Sequence, residues 1–228
     1  MTKFAIPAPP VVTLPIAGSE EMFPVRRVYC IGRNYAAHAI EMGHDPDREA
    51  PFFFQKNPDN LDTSGEFPYP AKTSDVHYEI EMAVVLKTGG QNIPVADALN
   101  HVFGYALSLD MTRRDLQGEQ KKAGRPWEIG KAFERSAPIG KIHTVEEVGH
   151  LDTGRVELKV NDEIKQEGDL NQMIWKVPEM ISYLSDYFEL AAGDVILSGT
   201  PAGVGPIVKG DVMQLSVEGL GSMSIPVV

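Results

Sequence analysis

The sequence predicts a mixed, strand-rich α+β fold with few short helices. The chain has 228 residues, and its 21 glycines and 17 prolines favour frequent turns and short strands. The clearest helical spacing of apolar residues covers only residues 178–188, with Pro178 suited to the first turn. A chain of this length can bury a sizeable core. We therefore expect several short strands and few helices around one core.

The chain divides into two parts by composition. Residues 1–24 contain Pro7, Pro9, Pro10 and Pro15 and are predicted to form an irregular, Pro-rich N-terminal arm. Residues 25–228 are predicted to form a single catalytic domain, which carries all the candidate site residues. Strands are predicted at 28–31, 79–86, 156–160, 163–166, 195–197, 212–217 and 222–227. Helices are predicted at 35–42, 95–103, 110–122 and 178–188.

Composition and charge exclude several classes of protein. The net charge of -11 argues against binding to nucleic acid, because the phosphate backbone needs a basic face. No stretch approaches ~20 uninterrupted apolar residues, so no membrane span is expected. The single cysteine, Cys30, rules out an intrachain disulfide and favours a reducing compartment. These features predict a cytoplasmic protein.

Three carboxylates form the candidate metal site. On a strand, alternate side chains share a face, so Glu79 and Glu81 are expected to point the same way. The apolar segment 103–109 leads directly to a third carboxylate, Asp110. Such an oxygen-only set suits a hard divalent cation, with Mg²⁺ fitting best and Mn²⁺ or Ca²⁺ as alternatives. The alternative for the two glutamates is an exposed strand edge facing water.

A histidine and a glutamate lie on the first predicted helix. His38 and Glu41 are three residues apart and therefore share one face. A carboxylate beside an imidazole sets its tautomer and raises its basicity, as a water-activating base requires. A surface pair of little energetic worth is the alternative.

Other polar residues are candidates for binding an anionic substrate. In the Gly-rich segment 198–206, the Thr200 hydroxyl can hold a carboxylate oxygen, although a plain turn explains this segment equally well. Arg114, Gln117 and Lys131 follow Asp110, and Lys56 follows an aromatic run. Basic groups near a carboxylate-bound metal can bind an anion, whereas each alone is an ordinary solvated surface residue.

Four motifs occur in a fixed order along the chain. They are Cys30-Ile31-Gly32-Arg33-Asn34-Tyr35 with His38 and Glu41, then Glu79-x-Glu81, then Leu109-Asp110-Met111-Thr112-Arg113-Arg114-Asp115, then Ser198-Gly199-Thr200-Pro201-Ala202-Gly203-Val204-Gly205. In this order they resemble the fumarylacetoacetate hydrolase family over roughly residues 26–227. The resemblance implies the rolled, mostly antiparallel β-sheet fold of that family's C-terminal domain, assembled as a homodimer.

The resemblance also implies a role for each candidate residue. It implies metal ligands at Glu79, Glu81 and Asp110, a dyad on a lid segment at His38 and Glu41, substrate-polarising groups at Lys131 and Gln117, and contacts to the substrate carboxylate at Arg33, Arg114 and Thr200. Within the family, the chain most resembles acylpyruvate hydrolases, particularly the fumarylpyruvate hydrolases of gentisate breakdown, an aromatic degradation route. The expected activity is metal-dependent cleavage of a carbon–carbon bond in a small anionic keto acid.

The narrower likeness depends on the Pro-rich arm, on residues 52–58 and on Arg113 before Arg114. Lys56-Asn57-Pro58 and Arg113 are expected to lie where the acyl end of the substrate binds. Family members with the same metal cluster also include oxaloacetate decarboxylases, tautomerases and hydratases, which remain alternatives. A non-catalytic metal-binding or ligand-binding domain is a more remote one.

Overall fold

A computed structural model describes residues 3–37 and 50–228 of the protein. The strands within these residues are β1 Thr13–Pro15, β2 Met22–Pro24, β3 Arg27–Gly32, β4 Phe52–Lys56, β5 Leu61–Asp62, β6 Val76–Tyr78, β7 Ile80–Leu86, β8 Val102–Leu109, β9 Thr112–Arg113, β10 Ala137–Pro138, β11 His143–Thr144, β12 Arg155–Val160, β13 Glu163–Asp169, β14 Asp194–Leu197, β15 Gly205–Ile207, β16 Val212–Val217 and β17 Gly221–Pro226. The α-helices are α1 Val95–Ala98, α2 Arg114–Lys122, α3 Glu128–Lys131, α4 Val145–Val148 and α5 Val177–Tyr187. Short 3-10 helices cover Pro58–Asn60, Leu99–His101 and Leu170–Gln172.

A six-stranded sheet forms the centre of the fold, in the order β11-β8-β7-β14-β3-β4. Within it, β14 and β3 run parallel, whereas the other neighbouring pairs are antiparallel. A four-stranded antiparallel sheet, β13-β12-β16-β17, and a three-stranded sheet, β15-β6-β9, complete the main architecture. The predicted fold class, mostly antiparallel β-sheet with few short helices, is confirmed.

Strand β7 is buried on both faces between two hydrophobic cores. Ile80 and Val84 belong to the larger core, whereas Ala83 and Val85 belong to the smaller one. All seven residues of this strand are buried. Glu81 therefore lies inside the molecule, and the alternative of a glutamate on an exposed strand edge is wrong.

The predicted hairpin between β12 and β13 is confirmed. Its two central residues, Asn161 and Asp162, have φ angles of 51° and 67°. A type I′ turn requires positive φ at both positions, and this turn type matches the twist of paired strands. Strand β13 extends beyond its predicted end at residue 166 to Asp169, and Gln166 lies opposite Leu158 of β12.

Two predicted helices differ from the structure. The helix predicted over 95–103 ends at Ala98 and passes through a 3-10 turn into β8, because Val102 and Phe103 join the central sheet. The helix predicted over 110–122 begins only at Arg114, since Thr112 and Arg113 pair with β6. In both cases strand pairing overrides the local helical pattern. The helix predicted over 178–188 is confirmed as α5 with slightly shifted bounds.

The N-terminal segment is more regular than its prolines suggest. Strands β1 and β2 pair as an antiparallel hairpin, so the prediction of an irregular arm is wrong for residues 13–15 and 22–24. Leu14 and Phe23 are buried in the smaller core, which explains why the hairpin forms. Pro15 and Pro24 lie at strand ends, where proline is tolerated. No helix in the described part of the chain is long and apolar enough to span a bilayer.

Candidate active site

Three buried carboxylates meet where β6, β7 and β8 end or begin. Glu79 lies at the break between β6 and β7, Glu81 lies on β7, and Asp110 follows β8. A ligand oxygen from each lies within 4.8 Å of the others. The backbone N–H of Asp110 donates to the carbonyl of Glu79 at 2.9 Å, which holds the two segments in register. The predicted carboxylate cluster is thus assembled in the structure.

Three cations surround these carboxylates. Lys131 Nζ donates to Glu79 Oε2 at 2.9 Å and to Asp110 Oδ2 at 2.8 Å. Lys56 Nζ lies 2.9 Å from Asp110 Oδ1, and Arg114 Nη2 donates to Glu79 Oε1. The three acids are only 6%, 3% and 1% exposed, so without such partners their burial as charged groups would be strongly unfavourable.

Glu81 is the least compensated of the three acids. Burial raises its pKa well above the usual value, and the negative charges of Asp110 and Glu79 raise it further. The backbone N–H of Gly199, which donates to Glu81 Oε2 at 2.8 Å, and the charge of Lys131 act in the opposite direction. A cation bound beside Glu81 would therefore stabilise its charged form.

Lys56 is part of the support of the site and not of its open surface. It is 2% exposed and also donates to the carbonyl of Met111 at 3.2 Å and to Ser136 Oγ at 3.0 Å. Its Nζ contacts the backbone carbonyl of Lys131 as well. The expectation that Lys56 binds an anionic substrate is wrong, because its buried ammonium group pairs with Asp110 and donates to Met111 and Ser136.

The Gly-rich segment after β14 contributes backbone contacts to the site. Gly199 has a φ of 93°, and a Cβ at this position would lie 2.7 Å from the Cβ of Asn34. A side chain would therefore displace the N–H that binds Glu81. The segment continues into β15, which pairs with β6 next to Glu79. The plain-turn alternative does not account for these contacts.

Gln166 is a supporting residue that the sequence analysis missed. Its Nε2 donates to Thr200 Oγ1 at 2.8 Å and to the carbonyl of Pro201, also at 2.8 Å. Its Oε1 accepts from the backbone N–H of Ile80 at 3.0 Å. This fully buried amide therefore ties the Thr200 segment to the start of β7. A lone glutamine in an alternating hairpin strand carries no sequence signal for this role.

The carboxylates lie at the base of a cleft of about 520 Å³, which includes space open to solvent. The predicted residues that line it are Arg33, Glu79, Glu81, Asp110, Arg114, Gln117, Lys131 and Thr200. Gln117 Oε1 accepts from Arg114 Nη1 at 2.6 Å, which leaves its amide nitrogen as the group to offer a ligand. His38 and Glu41 lie outside the described residues and stay predictions.

Aromatic residues form walls of the cleft that were not predicted. Phe52, Phe54 and Trp127 line it, and the Trp127 ring contacts the two phenylalanines at centroid distances of 5.4 and 6.0 Å. Lys121 also lines the cleft. Phe52 and Phe54 are two residues apart on β4 and therefore share one face of the strand. Lys121 lies seven residues after Arg114 on α2 and shares its helical face, so periodicity in the sequence could have indicated all three residues.

The two features expected at the acyl end of the substrate lie elsewhere. The Arg113 guanidinium lies 4.3 Å from the centroid of the Phe133 ring, and burial lowers its pKa. Neither Arg113 nor Lys56-Asn57-Pro58 is among the described residues lining the cleft. That expectation is wrong, because Arg113 packs on the Phe133 ring and Lys56 pairs with buried Asp110.

Comparison with known proteins identifies the family. The model of the fumarylacetoacetate hydrolase C-terminal family matches residues 27–228. The chain belongs to this family. It is similar to the crystal structure of fumarylpyruvate hydrolase from Pseudomonas aeruginosa in complex with Mn²⁺ and pyruvate, with 49% identity, 99% of each chain covered and a TM-score of 0.97.

Relatives with other activities are also similar. Human mitochondrial oxaloacetate tautomerase is 39% identical over 202 residues, which cover 89% of this chain and 91% of the relative. Mitochondrial oxaloacetate decarboxylase of Dictyostelium discoideum is 39% identical over 197 residues, covering 86% and 90%. The family is therefore one of enzymes whose reactions differ, and membership alone leaves the particular reaction open.

Proposed function

We propose that the protein is a metal-dependent hydrolase that cleaves the carbon–carbon bond of an acylpyruvate, with fumarylpyruvate as substrate and fumarate and pyruvate as products. The observation that carries the proposal is the similarity to the Pseudomonas aeruginosa fumarylpyruvate hydrolase over nearly the whole of both chains. A small keto acid also suits a cleft whose base is acidic and whose sides present several cations.

The buried acids fit a divalent metal. Three carboxylates with ligand oxygens within 4.8 Å form the donor set of a hard cation, and Glu81 lacks a full share of compensating charge. Glu79, Glu81 and Asp110 would hold the ion, with Mg²⁺ proposed and Mn²⁺ or Ca²⁺ as alternatives. When bound, the ion would supply Lewis acidity toward the oxygens of the keto acid.

The residues around the cleft account for binding and bond cleavage. Arg33, Arg114 and Thr200 bind the substrate carboxylate, and they hold the acyl carbonyl near Lys131 and Gln117. His38, oriented by Glu41, takes a proton from water, and the resulting hydroxide adds to the acyl carbonyl carbon. Lys131 and Gln117 stabilise the negative charge that develops on the acyl oxygen.

Collapse of this adduct breaks the bond between the acyl carbon and the adjacent methylene. The acid leaves with the hydroxyl oxygen, and the electron pair of the broken bond passes to the pyruvate fragment as its enolate. Protonation of that enolate yields pyruvate, so atoms and charge balance. The proton comes from the group that accepted it from water, which returns the dyad to its starting state.

Oxaloacetate tautomerisation or decarboxylation is the second candidate. The specific observation in its favour is the group of relatives with these activities at about 39% identity. Both reactions pass through the enolate of a 2-keto acid, which the same cations can stabilise. Hydrolysis differs in that it needs an activated water, the role proposed for His38 and Glu41.

The first experiment follows the loss of enol absorbance of fumarylpyruvate with Mg²⁺, with Mn²⁺ and with EDTA. We expect rapid loss that depends on metal and forms fumarate and pyruvate in equal amounts. Acetylpyruvate and oxaloacetate serve as comparison substrates. Faster turnover of oxaloacetate than of fumarylpyruvate would overturn the hydrolase proposal in favour of the second candidate.

A further inference from the structure

The side-chain amide of Gln166 has only one possible orientation. Gln166 lies on β13 and is fully buried. Its Oε1 accepts from the backbone N–H of Ile80 at 3.0 Å, and its Nε2 donates to the carbonyl of Pro201 at 2.8 Å. A backbone N–H can only donate and a carbonyl can only accept, so exchanging Oε1 and Nε2 would break both bonds. The second hydrogen on Nε2 is donated to Thr200 Oγ1, 2.8 Å away.

This orientation determines the hydrogen-bonding role of the Thr200 hydroxyl. A hydroxyl has one proton, and the Thr200 oxygen already accepts an amide hydrogen, so its own proton is directed away from Gln166. Thr200 is only 2% exposed, yet it lines the same cleft as Glu81. Among the residues that the structure describes, this proton meets no acceptor. It is therefore left to an oxygen of a ligand in the cleft.

The backbone around Thr200 is held by a second buried amide. Asn34 is fully buried and donates from Nδ2 to the carbonyl of Ser198 at 2.8 Å. The N–H of Gly199 donates to Glu81 Oε2, also at 2.8 Å. The Gly199 N–H is thus used by an acid of the site. The Thr200 hydroxyl is the donor of this segment that remains for a ligand.

The amide of Gln166 also links this hydroxyl to the acidic base of the cleft. Ile80, whose N–H donates to Gln166 Oε1, lies between Glu79 and Glu81 in the sequence. One rigid, planar amide therefore contacts both the segment that carries the two glutamates and the hydroxyl of Thr200. The position of the hydroxyl relative to the acids is fixed before a ligand binds, which lowers the entropic cost of forming a directional contact.

We infer that Gln166 is a positioning residue that keeps the Thr200 hydroxyl as a donor to the carboxylate of the bound 2-keto acid. Gln166 is not among the described residues that line the cleft, so it acts through Thr200. This inference rests on the proposed function and extends it to the residue that orients one of the substrate contacts. Without the amide the hydroxyl is free to rotate, and its lone pairs then face the carboxylate in part of the population.

A double-mutant cycle on pyruvate binding tests this inference. Pyruvate, a product under the proposed function, is titrated calorimetrically into the Mn²⁺-loaded protein. Thr200→Val removes the hydroxyl, and Gln166→Met removes the amide at similar side-chain length. We expect each change to weaken pyruvate binding about 10-fold, because a hydrogen bond to a charged group is lost or misdirected. The double variant should bind about as weakly as either single variant, since both changes act on one contact.

Two control variants separate this role from a general effect on the fold. Thr200→Ser keeps a hydroxyl and should bind pyruvate within about twofold of wild type. Gln91→Met, which removes an amide at an exposed position, should do the same. If Gln166 acted only on the stability of the fold, the two losses would multiply to about 100-fold in the double variant. That result, or unchanged binding in Gln166→Met, overturns the inference.

The outcomes also separate this inference from the proposed function. If wild type binds pyruvate but does not cleave fumarylpyruvate, the proposed function has failed, and the cycle still decides the role of Gln166. No binding of pyruvate to wild type overturns the inference. If Gln166→Met does not fold, the side-chain amide signals of Gln166 are compared by NMR between wild type and Thr200→Val. One of the two proton signals should move upfield when its acceptor is removed, and unchanged signals overturn the inference.

Discussion

Two lysines of the same cleft have pKa values shifted in opposite directions. At the base, burial acts to lower the pKa of Lys131, but Asp110 and Glu79 outweigh this effect and the pKa is raised. At the mouth, burial lowers the pKa of Lys121, and Arg33 and Arg114 lower it further. Lys131 therefore lies among carboxylates, whereas Lys121 lies nearer to the guanidinium groups of Arg33 and Arg114.

This difference assigns separate tasks to the two ends of the cleft. Under the proposed function, the base holds the metal ion and the groups that act on the 2-keto acid. Under the proposed function, the mouth faces the part of the substrate that differs between acylpyruvates. Changes at the base should therefore affect every substrate, whereas changes at the mouth should affect the choice among them.

The largest expected effect comes from Glu81→Gln. Replacing this carboxylate removes one of the three charged oxygen donors, so metal binding should weaken strongly and activity with every substrate should be lost. Calorimetric titration with Mn²⁺ and turnover of fumarylpyruvate measure the two effects. Glu163→Gln, at an exposed position on β13, is the matched control and should behave as wild type. Full activity of Glu81→Gln without bound metal would refute the ligand assignment.

The next largest effect is expected for His38→Ala. Loss of a general base should slow turnover by ~100-fold or more while metal and substrate binding stay nearly unchanged. The measurement is kcat together with the affinity for Mn²⁺, and His44→Ala provides a control in the same part of the chain. Unchanged turnover would mean that His38 and Glu41 are not a catalytic pair.

A smaller effect on turnover, with a large one on stability, is expected for Lys56→Met. This change leaves buried Asp110 without its partner at Oδ1, and we expect the metal-free protein to lose about 3–5 kcal/mol of unfolding free energy. Turnover should fall about 10-fold because the support of Asp110 and of the Lys131 carbonyl is lost.

Thermal unfolding with and without Mn²⁺ provides the decisive measurement for this variant. Added Mn²⁺ should raise the Tm more in Lys56→Met than in wild type, since the ion replaces part of the missing positive charge. Lys87→Met, at an exposed lysine, is the control. An equal increase in Tm for wild type and variant would contradict the supporting role of Lys56.

The smallest effect is expected from pH. Because the pKa of Lys121 is lowered from 10.5, this lysine loses its charge at a lower pH than Lys131, whose pKa is raised. As pH rises toward the lowered value, Lys121 should lose its charge, and KM for fumarylpyruvate should rise because the cleft attracts an anionic substrate less strongly. Lys121→Met should lack this rise in KM. A rise in KM that persists in Lys121→Met would show that another group titrates.

Local patterns in the sequence were sufficient to find the three clustered acids. Glu79 and Glu81 alternate within an apolar strand pattern, and Asp110 follows an apolar run, so each has a signal within a few residues. The details were less predictable. The helix expected over 110–122 starts only after β9, because pairing with β6 competes with the local helical preference.

The residues that support the acids were not predictable in the same way. Gln166 donates a hydrogen bond to Thr200, which lies 34 positions later in the sequence. Lys56 forms an ion pair with Asp110, which is also distant along the chain. Lys56 was expected in the open cleft, since nothing near it in the sequence shows that its charge is used inside. Burial and ion pairing over such separations depend on how the sheets pack, and that information is absent from a short window of sequence.

The sequence by itself determined the strand-rich fold class, the three carboxylates and the family resemblance, because periodicity and ordered motifs are properties of short segments. Only the tertiary structure decided which cations neutralise those carboxylates, which aromatic residues form the walls, and that Arg113 packs on the Phe133 ring. The physical reason is that the free energy of a buried charge depends on all the groups within a few ångströms of it. Folding brings those groups together from distant parts of the chain.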